Sequence, residues 1–240
     1  MRSNEKLNAR WYKMNLEGKI IDFLGDSITE GVGVGNCETG RYDNIIKKKC
    51  NLKAVCNHGI CGTRLAHQSK PSENPRFDLC FCGRAYDLSN EADIIVVYGG
   101  VNDYMHGDAP FGSNEDKTPA TFMGAVEFIM NLLKELYPNT KIIFMTPAHC
   151  CFDTLDESQP SNRPQKYPDA RPLCDYADVI EQKGKLHGIP VLNLFKRLPI
   201  NPCLPAHKEK YTSDGLHLND NGHKILADLL IDFISNEVEE

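Results

Sequence analysis

No apolar run in this chain is longer than the five residues Ile94 to Tyr98. A helix needs about 20 apolar residues to cross a bilayer, so no membrane span is expected. Met1 to Lys19 is polar and mixed in charge, without the apolar stretch and cleavage site of a secretory leader, and the expected location is the cytoplasm. Basic charge is also scarce: 27 Lys and Arg stand against 33 Asp and Glu, for a net charge of −6. The basic residues are dispersed, with Lys47-Lys48-Lys49 the one run. That run reads as a solvated helix face, and nucleic acid is not an expected partner. The ten cysteines lack metal spacing: no Cys-x-x-Cys pair occurs, and Cys56 to Cys61, Cys80-Phe81-Cys82 and His149-Cys150-Cys151 are weak ligand sets. They read as thiols in a reducing compartment, and no metal or other cofactor is expected. Repeats, low-complexity tracts and breaks in composition are absent as well. The 240 residues, 41% of them hydrophobic, are expected to form one domain over 1–240 around a substantial core.

What the chain does have is a strand and helix alternation. Five short, apolar, β-branched segments read as buried strands: Lys19 to Leu24, Lys53 to Asn57, Asp93 to Tyr98, Lys141 to Thr146 and Pro190 to Phe195. Helical spacing follows in Phe122 to Tyr137, more weakly in Leu173 to Leu186, and again in Ile225 to Ile234. Strands alternating with helices imply crossover connections, hence an α/β fold with a parallel sheet covered on both faces. Function is then expected at the carboxyl ends of the strands.

Four islands supply chemistry: Gly25-Asp26-Ser27-Ile28-Thr29, Asn57-His58-Gly59-Ile60-Cys61-Gly62, Gly99-Gly100-Val101-Asn102-Asp103 and Asp214-Gly215-Leu216-His217. The first three follow the first three strands. Ser27 ends a strand and is a candidate nucleophile, although Ser-Ile-Thr-Glu also resembles the opening of a capping box. No Gly-x-Ser-x-Gly occurs, so the strained elbow of ordinary α/β-hydrolases does not justify Ser27. Its partners do. Asp214 and His217 lie three apart in a turn that Gly215 makes permissive; the aspartate can orient one imidazole nitrogen and leave the other for Ser27. The N–H groups of Ser27 and Gly62 and the side-chain amide of Asn102 can serve as oxyanion donors if the three strands are neighbours.

Taken together in this order, the islands resemble the blocks of the SGNH, or GDSL, hydrolase family, with Gly-Asp-Ser, Gly100-Val101-Asn102-Asp103 and Asp-x-x-His matched from about Lys19 to Ala227. The resemblance implies Ser27 as nucleophile and oxyanion donor, Gly62 and Asn102 as further donors, His217 as general base and Asp214 as its partner. It also implies a three-layer α/β/α sandwich with a five-stranded parallel sheet, flavodoxin-like in layout. Within the second block both Gly59 and Gly62 are available as the donor, with Gly62 preferred.

The expected activity is hydrolysis of a carboxylic ester through an acyl-enzyme on Ser27, with a short acyl group such as acetyl and a polar or carbohydrate alcohol. The long connections Tyr104 to Thr118 and Pro147 to Pro172 are candidate substrate loops. Arg163, Tyr167 and Arg171 on the second are the candidate substrate contacts, and its polar composition favours a small or carbohydrate ester. The family also contains lysophospholipases and thioesterases, so a lipid acylhydrolase is the alternative, as is a non-catalytic binding protein on the same fold. Gly31-Val32-Gly33-Val34-Gly35 brings a nucleotide site to mind, but it does not open directly from strand into helix, and no Gly-Lys-Ser/Thr accompanies it. A loop beside the nucleophile accounts for it.

Overall fold

The computed structural model describes residues 14–152 and 171–238. Its strands are β1 Ile20–Gly25, β2 Ala54–Gly59, β3 Ile94–Tyr98, β4 Lys141–Met145 and β5 Val191–Leu192. All neighbours pair in parallel, in the order β2-β1-β3-β4-β5. The helices are α1 Ser27–Glu30, α2 Cys37–Gly40, α3 Tyr42–Cys50, α4 Phe81–Arg84, α5 Val101–Met105, α6 Phe122–Leu136, α7 Leu173–His187, α8 Leu194–Arg197, α9 Pro205–Tyr211 and α10 Asp220–Glu237.

Side chains of a strand alternate between faces, and each inner strand here is apolar on both. Ile21, Phe23, Ile94, Val96, Ile143 and Met145 pack with α3, α8 and α10 on one side. Leu24, Ile95, Val97, Ile142 and Phe144 pack with α4, α6 and α7 on the other. The result is the expected α/β/α sandwich. Four of the five expected strands coincide with β1 to β4 to within two residues at either end. The fifth is shorter than expected, because Asn193 leaves the sheet to cap α8, its Oδ1 accepting from Lys196 N at 3.0 Å.

In this order the chain runs outward from β1 to the edge strand β2, then returns to β3 on the other side of β1. The connections after β1 and β3 therefore leave in opposite directions and open a crevice above the sheet. Ser27 stands just beyond β1 and Asn102 just beyond β3, one on each side of that crevice. Among the described residues, no helix is long and apolar enough to cross a membrane.

Candidate active site

Ser27 is the first residue of α1 rather than its cap. Asp26 holds the cap position, its Oδ1 accepting from Ile28 N at 3.0 Å. The capping-box reading of Ser27 therefore gives way: Glu30 reaches away from its own helix, and its Oε2 accepts from Cys61 N at 2.6 Å. This tight strand-to-helix exit needs glycines. A Cβ on Gly25 would stand 2.0 Å from Thr29 Oγ1, and one on Gly59 would stand 2.2 Å from Glu30 N. Asp26 is fully buried, and burial pushes its carboxyl up to about 6 against the Ile28 N–H bond that lowers it.

The Asp214–His217 turn comes back over Ser27 from the far end of the chain. Thr212 and Leu218 form an antiparallel bridge, and Ser213 N donates to His217 O at 2.9 Å. Asp214 Oδ1 accepts from Leu216 N and His217 N, at 2.9 and 2.8 Å. Its Oδ2 lies 2.6 Å from His217 Nδ1, and His217 Nε2 lies 2.9 Å from Ser27 Oγ. Partial burial works to raise the Asp214 carboxyl, but the bonds from the His217 ring and the two N–H groups outweigh it and hold it below the ordinary value. Gly215 sits at φ +93°, as the turn requires, with the Cys151 thiol 2.4 Å from where a Cβ would be.

The second and third islands meet at the same cleft, whose walls include Ser27, Gly62, Asn102 and His217. Gly59 and Gly62 play different parts. Gly59 N donates to Asn57 Oδ1 at 3.0 Å, and its Cα lies under α1. Gly62, at φ +76°, lines the cleft and donates its N–H to no partner among the described residues. Asn102, 3% exposed, donates from Nδ2 to Thr63 O at 3.0 Å, which leaves its second amide hydrogen for the cleft. His58, between Asn57 and Gly59 in the second island, turns away and faces the buried Asp22 carboxylate at 3.3 Å.

Two further residues hold this arrangement: Asp103, the last residue of the third island, and Arg84, which has no signal of its own in the sequence. Asp103 sends both oxygens to the 60–66 loop, accepting from Leu65 N and Ala66 N at 3.0 and 2.9 Å. Burial pushes its carboxyl up to about 6 despite those bonds. Arg84, buried and lowered by burial to about 10, donates to Gly25 O, Leu79 O and Thr63 Oγ1 at 3.0, 2.9 and 2.8 Å, and also to His58 O. It thus ties the ends of β1 and β2 to the donor loop. The opposite wall, Ser72, Glu73, Asn74 and Phe77, comes from the connection after β2, which the sequence did not single out.

The expected substrate contacts fare differently. Arg163 and Tyr167 lie outside the described residues. Arg171 stacks on the Phe111 ring, 5.9 Å from its centroid, and is not part of the cleft wall. The Tyr104 to Thr118 connection does reach the cleft, through His106. Among the described residues no cluster of three or more His, Cys, Asp and Glu is placed to hold a metal ion.

A serine hydrogen-bonded to a histidine that an aspartate orients, at the mouth of a parallel sheet, is the geometry of an ester hydrolase that works through a serine nucleophile. The GDSL-like Lipase/Acylhydrolase family profile matches residues 23–225, and the chain belongs to that family. It acts on ester bonds. A search of curated proteins gives no match. Among solved structures, a protein from Lactobacillus plantarum is similar at 26% identity and a TM-score of 0.76, covering 92% of this chain and 99% of that one. A lipase/acylhydrolase from Enterococcus faecalis shares the fold at 21% identity and a TM-score of 0.59, over 90% and 95% of the two chains. So does an acetyl xylan esterase, at 23% identity and a TM-score of 0.58, over 88% and 97%.

Proposed function

We propose that this protein is a metal-independent, single-domain cytoplasmic esterase that removes a short acyl group, acetyl above all, from a polar or carbohydrate alcohol. The observation that carries the reading is the unbroken chain from Asp214 Oδ2 through His217 to Ser27 Oγ, at 2.6 and 2.9 Å, opening on the cleft that Gly62 and Asn102 also line. In this reading Ser27 Oγ attacks the ester carbonyl while His217 Nε2 takes its proton, and Asp214 keeps the ring in the tautomer that can accept it. The oxyanion is met by the N–H groups of Ser27 and Gly62 and the free amide hydrogen of Asn102. His217 returns the proton to the leaving alcohol, then activates water to hydrolyse the acyl-enzyme.

The cleft wall supports a small acyl group. Its large apolar side chains are Phe77 and Leu216, while Arg64, Ser72, Glu73 and Asn74 bring polar heads around them. Two apolar side chains suit a methyl or a short chain; a lipid tail needs a continuous groove. Such a groove gains about 0.8 kcal/mol, roughly fourfold, per buried methylene. A series of p-nitrophenyl acetate, butyrate and octanoate, run beside acetylated oligosaccharides with Ser27→Ala as the blank, tests both parts. Acetyl esters are expected to give the highest kcat/KM, and Ser27→Ala to lower it by about 10^4-fold. A steady climb from acetyl to octanoyl overturns the small-acyl reading in favour of a lipid acylhydrolase. Near wild-type turnover by Ser27→Ala overturns the nucleophile.

A further inference from the structure

Asn102 is useful as an oxyanion donor only if its amide faces the right way. An asparagine side chain can turn over with little change in shape, and the flipped form would present a carbonyl oxygen to the developing negative charge. Two contacts decide the orientation here. Thr63 O stands 3.0 Å from Nδ2, and flipping would set two acceptors against each other at that distance. At the other end of the amide, His106 Nε2 lies 2.7 Å from Oδ1. An amide oxygen can only accept, so this ring nitrogen carries the hydrogen and donates it.

His106 is itself held in place. It lies four residues after Asn102, at the end of α5, so the two side chains share a face. Its N–H donates to Asn102 O at 2.9 Å, and its carbonyl accepts from Arg64 Nη2 at 3.3 Å. The ring lines the cleft beside Asn102 and is exposed rather than packed in the core. A donor on the carbonyl of an amide also polarises it, which strengthens the N–H groups at its other end.

We propose that His106 is a positioning residue of the oxyanion hole, fixing the orientation of the Asn102 amide and polarising its free N–H toward the reacting carbonyl oxygen. The proposal rests on the reading of Asn102 as an oxyanion donor. His106 makes no bond to substrate in this role and takes no proton from it. Its effect belongs to the transition state, where the oxygen carries charge, and so to kcat rather than KM.

The test is a double-mutant cycle on p-nitrophenyl acetate, with His106→Ala, His106→Gln, Asn102→Ala and the double variant His106→Ala/Asn102→Ala. Asn102→Ala is expected to lower kcat by about 10^2 to 10^3. His106→Ala is expected to lower kcat by about tenfold, the scale of one hydrogen bond, with KM within about twofold of wild type. His106→Gln, whose amide can still donate to Oδ1, is expected to recover part of the loss. In the Asn102→Ala background His106→Ala should add nothing, because the group it positions is gone. Full additivity in the cycle, a change confined to KM, or no loss in His106→Ala overturns the positioning role while leaving Asn102 as donor. Undiminished kcat in Asn102→Ala overturns the donor reading itself, and this inference with it. Because His106 is exposed, thermal unfolding of each single His106 variant is expected to match wild type; a melting temperature lowered in step with kcat also overturns the proposal in favour of a purely structural contact.

Discussion

At the scale of single residues, the least expected contributor is Gly33. The glycine-rich run after α1 reads in the sequence as a loop beside the nucleophile, and the structure gives it a specific neighbour. A Cβ on Gly33 would stand 2.8 Å from Leu218 O, 2.9 Å from Ser213 Oγ and 3.3 Å from His217 Cβ. The loop is the floor on which the His217 turn rests. At φ +92° the position also disfavours any side chain. Gly33→Ala is therefore expected to lower kcat/KM at least about tenfold by shifting His217 from Ser27, since an ångström of misplacement is costly in catalysis. Gly18→Ala is the control. Gly18 has φ +75° with nothing within 4 Å of the would-be Cβ, so it should cost stability, about 1 kcal/mol, and leave the steady-state rate unchanged. Equal activity of Gly33→Ala and wild type would remove Gly33 from this role.

At the scale of elements, α1 is too short to be stable by itself and holds its shape through what it grips. Its Glu30 carboxylate accepts from Cys61 N at 2.6 Å and is paired with Arg76. Two interactions compete as the explanation of this clamp. The Arg76 ion pair is largely exposed, with the two side chains 46% and 31% accessible, and such pairs contribute little in water. The bond to Cys61 N is charge-assisted and partly buried, and it fixes the loop that carries Gly62. Glu30→Ala is thus expected to lower kcat several-fold with the larger part of the effect in kcat, and Arg76→Ala to change it less than twofold. Steady-state kinetics on the two variants decides it. A larger loss in Arg76→Ala would put the weight on the ion pair.

At the scale of the whole molecule, buried titrating groups work against one another as the pH falls. His223 on α10 is fully buried, accepts from Tyr42 N at its Nδ1 at 3.2 Å and stacks on the Tyr42 ring. Burial lowers its pKa from 6.5 to about 4. Between those values the unfolded chain takes up a proton that the folded protein refuses. The stability that this neutral histidine contributes is present above pH 6.5 and lost as the pH falls toward 4, by roughly 3 kcal/mol in all. Asp26 and Asp103 have the opposite sign. Burial raises both to about 6, so the fold is relieved of a buried charge as the pH drops below that value. In the wild type the two trends offset each other. In His223→Gln the histidine's part of the pH dependence is gone while the carboxylates are unchanged, and the stability of wild type relative to this variant is expected to shrink from pH 7 to pH 4.5. Denaturant unfolding at the two pH values measures it; a constant difference would show that His223 does not titrate with folding.

The sequence by itself determined the sheet and the order of the chemical islands, because both are local properties. Short, continuous apolar runs rich in β-branched residues mark strands wherever they lie, and β1 to β4 fall where those runs are. Gly25-Asp26-Ser27, Asn102 and the Asp214–His217 pair are legible because each has a fixed spacing within a few residues. Tertiary structure decided everything that depends on distance between islands. Asp214 and His217 stand roughly 190 residues after Ser27 in the chain, and only the return of the chain into α10 sets Nε2 2.9 Å from Oγ. Gly59 and Gly62 look alike in the sequence; in the fold Asn57 Oδ1 takes the N–H of Gly59, while Gly62 lines the cleft. Arg84 carries no motif, and the motifs that contain Asp103 and Glu30 leave their contacts unspecified, since a buried charge shows its purpose only through the backbone groups it gathers. β5 is shorter than its apolar run for the same reason: the run sets where a strand can form, but the cap at Asn193 sets where it ends.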